Sequence, residues 1–96
     1  MSGASTELAK LREEIDRADE ALIELFRKRF AIVDRVIDLK RGAGLPAMIP
    51  DRIEQVVRNV VEKSMGSSIP PETMERLWRL LIAETIAYEE KRLTVK

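Results

Sequence analysis

Ten positions between Leu8 and Leu39 are spaced alternately by three and four residues: Leu8, Leu11, Ile15, Ala18, Leu22, Leu25, Arg29, Ile32, Val36 and Leu39. Nine are apolar and the tenth is an arginine. A heptad repeat sustained this far requires one long amphipathic helix packed on other helices. A guanidinium in such a seam has to be paired, because an isolated buried charge is costly. No acidic residue occupies another seam position, so Arg29 needs an anion from outside the seam.

The remaining chain reads as two shorter helices. Ser5 or Thr6 can cap the long helix, which is expected to run to about Arg41. Gly42, Gly44, Pro46 and Pro50 then interrupt the pattern. A second helix is expected from Pro50–Asp51, where proline suits the first turn and the aspartate suits the helix dipole. Its apolar face is Ile53, Val56, Val57, Val60 and Val61, with Gly66 as its stop. Pro70–Pro71 opens a third helix that continues to about Leu93. Neither a repeat nor strand alternation is present, so the expected fold is all-α, a single domain over residues 1–96.

The first helix is too long for a monomer of this size. From Thr6 to Arg41 is 36 residues, about 54 Å at ~1.5 Å per residue. A compact chain of 96 residues has a diameter of roughly 33 Å. About 20 Å of apolar seam would stand in water, which soluble proteins avoid. A second copy of the same helix is the simplest cover, so a homodimer is expected.

Composition excludes whole classes of chemistry. Seventeen basic and seventeen acidic residues cancel, leaving no electrostatic footprint of a nucleic-acid binder. The MSGASTEL start is polar, and no apolar run is long enough to span a membrane, so a soluble cytoplasmic protein is expected. Cysteine and histidine are both absent, which removes thiol chemistry, catalytic triads and zinc sites. Carboxylates, lysine, arginine and hydroxyls remain.

The cations are arranged to share a small anion. Arg29 and Lys40 are eleven residues apart, which returns to within about 20° of the same direction, roughly 16 Å further along the helix. Arg12 precedes Arg29 by seventeen residues, about 25 Å away and about 100° round. It cannot reach the same ligand within one protomer, but in an antiparallel dimer it can enter the partner's site. On the third helix Trp78, Ile82, Thr85 and Glu89 fall within about 60°, so Thr85 and Glu89 are polar members of a largely apolar stripe. Arg52 follows the Pro-rich loop, where a side chain can fold over a site mouth. A structural alternative stays open: Arg29 pairing with Glu89 across the bundle, and Thr85 bonding its own helix backbone.

Taken together these blocks resemble the small all-helical chorismate mutases over nearly the whole chain. The resemblance is carried by LREEIDRAD (Leu11–Asp19), by RKR ending at Arg29, by Lys40 before the Gly/Pro loop, by Asp51–Arg52, and by LWRLLIAETIAYE (Leu77–Glu89). It implies three helices per chain intertwined into a homodimer with two active sites. It also implies that Arg12 is donated from the other subunit, while Arg29, Lys40, Arg52, Thr85 and Glu89 line the site. The implied reaction is the Claisen-type rearrangement of chorismate to prephenate, in phenylalanine and tyrosine synthesis. That reaction is unimolecular and requires neither metal nor cofactor. Arg12 and Arg29 would grip the two carboxylates, with Lys40 and Glu89 facing the ether oxygen on which negative charge grows.

Two positions differ from the common pattern. Many bacterial members have glutamine where this chain has Glu89, and an ionised glutamate there would repel the developing charge. The family usually has glutamate, binding the ring hydroxyl, where this chain has Ile53. An aliphatic residue there resembles the sibling isochorismate pyruvate lyases, which form salicylate and pyruvate. Three readings therefore stand. The first is a chorismate mutase. The second is an isochorismate pyruvate lyase, or a mutase of a related substrate such as an aminodeoxychorismate. The third is a non-catalytic helical dimerisation module.

Overall fold

Three proline- and glycine-punctuated segments fold as three α-helices in a computed structural model that describes residues 3–94. They are α1 (Gly3–Ala43), α2 (Pro50–Ser64) and α3 (Pro71–Leu93), and no strand occurs among the described residues. Helices α2 and α3 both begin on proline without a side-chain cap. Proline loses nothing at a first helical position, where its missing N–H would have no intrahelical partner. The carbonyls of Ile49 and Pro70 take the first backbone bonds instead. Beyond α2, Met65 N–H bonds back to the Glu62 carbonyl and Gly66 adopts φ +89°, ending the helix.

The start of α1 differs from expectation. Ser5 and Thr6 lie inside the helix rather than capping it. Ala4 and the strong helix formers from Glu7 to Lys10 extend the run, and no proline opposes it. At its other end α1 carries Lys40 and Arg41 in the last turn, favourable to the helix dipole, and continues through Gly42.

The chain divides into two units between Ile32 and Val33, inside α1. In the first unit, Leu8, Leu11, Ile15, Leu22, Leu25 and Ile32 are all exposed, with Ile15 at 60%. Arg27 and Glu24 pair one turn apart on its surface. Arg12 is exposed and Arg29 half-buried.

In the second unit all three helices contribute to one core, formed by Val33, Ile37, Ala47, Val57 and Ile82. Every member of the expected α2 face is buried or half-buried. The α3 stripe of Trp78, Ile82, Thr85 and Glu89 turns inward in the same way. On α1 the outcome is different, because Val33, Ile37 and Lys40 face the core while the seam residue Leu39 is 75% exposed. Arg79 of α3 forks onto both carboxylate oxygens of Glu54 at 3.0 and 3.1 Å and bonds Glu75 through Nε at 2.8 Å. This exposed clamp links α2 to α3. It also holds the Glu54 carboxyl below its ordinary range, chiefly through the hydrogen bond from Arg79.

Candidate active site

Lysine ends its side chain in three donors, and a buried ammonium must place them on acceptors. Lys40 Nζ donates to Glu89 Oε1 at 2.8 Å and to the Ala47 carbonyl at 2.9 Å. The side chains of Lys40 and Glu89 are only 13% and 8% exposed. This ion pair joins the last turn of α1 to the last turns of α3 and is closed over by the loop after α1. Among the described residues every buried side-chain nitrogen or oxygen has a hydrogen-bond partner.

Thr85 sits one turn before Glu89 on the same stripe and is equally buried. Its hydroxyl donates to the Leu81 carbonyl at 2.7 Å, the local back-bonding typical of a helical threonine. Arg52 is placed differently. It is exposed, and its guanidinium donates to Gln55 Oε1 at 2.8 Å on its own helix. Thr85 and Glu89 thus share one buried stripe of α3, with Lys40 of α1 bonded to Glu89, whereas Arg52 is held along the outside of α2. Ile53, beside Arg52, is half-buried.

Two groups of contacts flank the pair and were not legible from pattern. Tyr88 Oη donates to Asp34 Oδ1 at 2.5 Å, and the Arg92 guanidinium stacks over the Tyr88 ring at 3.4 Å. Arg41 Nη2 donates to the Arg92 carbonyl at 2.9 Å. The hydrogen bond to Asp34 pushes the Tyr88 phenol above its ordinary pKa. Each contact lies next in sequence to Lys40 or Glu89, so they brace α1 against α3 at the level of the pair. Exposed pairs at 54-residue separation have no sequence signature. The Ala47 carbonyl likewise has none, since every residue carries one.

The arrangement is a buried cation and a carboxyl group side by side among aliphatic residues. It can present a strong hydrogen-bond donor, in a region of low dielectric, to an oxygen that gains negative charge. The family model for chorismate mutase type II matches residues 11–90. The chain belongs to the chorismate mutase type II family. Within that family, a bifunctional chorismate mutase/prephenate dehydratase of Aquifex aeolicus (strain VF5) is 30% identical over 88 residues, 88% of this chain and 24% of that protein. The T-protein of Enterobacter agglomerans is 30% identical over 86 residues, 90% of this chain and 23% of its own length. A 4-amino-4-deoxychorismate mutase of Streptomyces pristinaespiralis is 33% identical over 90 residues, 94% of this chain and 70% of that protein. This chorismate mutase type II chain thus spans under a quarter of the length of the first two relatives and over two thirds of the third. No helix among its described residues is long and apolar enough to cross a membrane.

Proposed function

We propose that this chain catalyses the rearrangement of chorismate to prephenate, with Lys40 and Glu89 acting on the ether oxygen. The observation that carries the reading is the buried Lys40–Glu89 pair at 2.8 Å, in a chain whose family model spans residues 11–90.

As the ether C–O bond breaks and a C–C bond forms, no atom enters or leaves the substrate. What an enzyme can supply is shape and charge. Arg29, and Arg12 of the partner subunit, grip the two carboxylates and hold the enolpyruvyl arm over the ring, because an arginine fork binds a carboxylate in a defined orientation. Lys40 donates to the ether oxygen, where charge grows only in the transition state, so its effect falls on kcat. Glu89, beside Lys40, acts when protonated as a second donor. Ionised, it adds repulsion. Thr85 and Arg52 complete the substrate contacts, Arg52 by leaving Gln55 and folding towards the site mouth.

The protein works as a homodimer. The exposed α1 seam supports this, because several large aliphatic side chains lie on one face of the first unit. A cytoplasmic location suits such a biosynthetic step, and the mechanism uses no cofactor.

A second substrate deserves a place beside chorismate. Two relatives carry the name 4-amino-4-deoxychorismate mutase, and the chain covers 70% and 82% of their lengths. The aliphatic Ile53 also stands directly after Arg52, where the family resemblance would put a carboxylate for the ring hydroxyl. Incubation with chorismate, 4-amino-4-deoxychorismate and isochorismate separately, followed by product analysis, decides the matter. Prephenate from chorismate is expected. Rearrangement of the amino compound alone moves the assignment to the second substrate. Salicylate and pyruvate from isochorismate would make the chain a lyase, and no product from any of the three would make it a non-catalytic dimerisation module.

A further inference from the structure

The Lys40 ammonium is held at two of its three protons before any substrate arrives, by Glu89 and by the Ala47 carbonyl. The third N–H is the one left for a ligand, and its direction follows from where the other two are fixed. Glu89 lies on α3 and is set by that helix. The position of the Ala47 carbonyl depends on the path of the loop after α1.

That path has one residue on which it turns. Gly44 has φ +69°, in the left-handed region that side chains disfavour. The next residue, Leu45, donates its N–H to the carbonyl of Lys40 at 2.9 Å, the closing bond of a Schellman-type helix end. Pro46 then fixes its own φ and restricts the residue before it to extended backbone. Ala47 follows directly, buried, with its carbonyl on Lys40 Nζ. The backbone and the side chain of Lys40 are therefore both tied to one short segment, and only Gly44 in it needs positive φ.

Resting on the proposed role of Lys40, we propose that Gly44 is a positioning residue for the reaction: its left-handed turn carries the Ala47 carbonyl onto Lys40 and leaves one N–H aimed at the substrate. A Cβ at Gly44 meets no atom within 4 Å, so Gly44→Ala perturbs backbone conformation without a clash. Gly42, two residues earlier and helical, is equally open and serves as the control. Asparagine tolerates the left-handed region better than alanine does.

The test compares Gly44→Ala, Gly44→Asn and Gly42→Ala by steady-state kinetics with chorismate, each checked for helix content and thermal unfolding. Gly44→Ala should lower kcat about tenfold or more with KM within about twofold, since the donor acts in the transition state. Gly44→Asn should recover most of the loss, and Gly42→Ala should match the unsubstituted chain. Adding Gly44→Ala to Lys40→Met should produce no further fall, because the two act through one donor. A folded Gly44→Ala protein with unchanged kcat overturns the proposal, as does an equal fall in the Lys40→Met background. A readout independent of turnover is the side-chain ammonium resonance of Lys40 in ¹⁵N-labelled protein. It should be protected from exchange in the unsubstituted chain and lost in Gly44→Ala, and its persistence in that variant overturns the proposal. If Lys40→Met alone leaves kcat intact, the assigned role of Lys40 fails, while the ammonium resonance still reports whether Gly44 holds it in place.

Discussion

Replacing Lys40 by methionine keeps the length of the side chain and removes its charge, which isolates what the buried pair contributes. The carboxylate of Glu89, 8% exposed, is then left uncompensated, and breaking a buried pair from one side costs about 3–5 kcal/mol. The Ala47 carbonyl also loses its donor, which alone costs about 1–3 kcal/mol. A chain of 96 residues has a total stability on the order of 5–14 kcal/mol, so the variant should remain folded but close to its limit. Glu89→Leu alone should cost a similar amount, by stranding the ammonium. The double variant Lys40→Met/Glu89→Leu has no buried charge left, and only the orphaned carbonyl remains, so it should lie about 1–3 kcal/mol below the unsubstituted chain. The singles then sum to at least ~3 kcal/mol more than the double. Urea unfolding followed by the fluorescence of Trp78, the single tryptophan, measures all four proteins at one chain concentration. With a slope of ~1–3 kcal/mol/M, each single should lower the midpoint by about 2 M and the double by about half that. A single-variant cost under ~1 kcal/mol, the range of exposed pairs, or strictly additive singles, would refute the buried-pair reasoning.

Other outcomes follow from the same geometry. Arg12→Ala and Arg29→Ala should each abolish most activity, and mixing the two under subunit exchange should restore part of it, since one site of each hybrid carries neither lesion. Glu89→Gln supplies a permanently neutral donor of similar length, so it should retain kcat, whereas Glu89→Ala should lose it; equal losses in the two variants would return Glu89 to a purely structural role. Ile53→Glu should raise kcat/KM for chorismate if that position faces the ring hydroxyl, and an unchanged preference would show that it does not read the ring. The Arg79–Glu54 clamp depresses the Glu54 pKa, so its stabilisation is present above the ordinary carboxylate value and lost as pH falls through the lowered one. Acid unfolding of Arg79→Ala should accordingly lack that component.

Helix faces were the most legible part of this chain. The five aliphatic residues of α2 and the four-residue stripe of α3 turn inward as their spacing requires, because each helix is short enough for the period to hold its phase. On α1 the seam does not by itself name the inward face of the second unit, where Val33, Ile37 and Lys40 turn to the core and Leu39 is exposed. Lys40 stands out in the sequence by its angular closeness to Arg29 on the same helix. The union of Lys40 with Glu89 was less accessible, since it depends on tertiary placement across 49 residues. The Ala47 carbonyl and the Tyr88–Asp34 bond lay beyond pattern altogether. Only the glycine–proline spacing of the loop hinted that the chain doubles back over the end of α1.

Among the described residues, Lys10, Lys28, Lys63 and Lys91 are exposed, whereas the Lys40 amine is wrapped by a carboxylate and a loop carbonyl. An acylating or carbamylating reagent will therefore modify those four lysines quickly and Lys40 only when the loop over it swings away. The labelling rate of that one amine, read by peptide mass spectrometry, becomes a clock for local opening. It ticks without substrate, and a ligand that seats against the ammonium should slow it in proportion to occupancy.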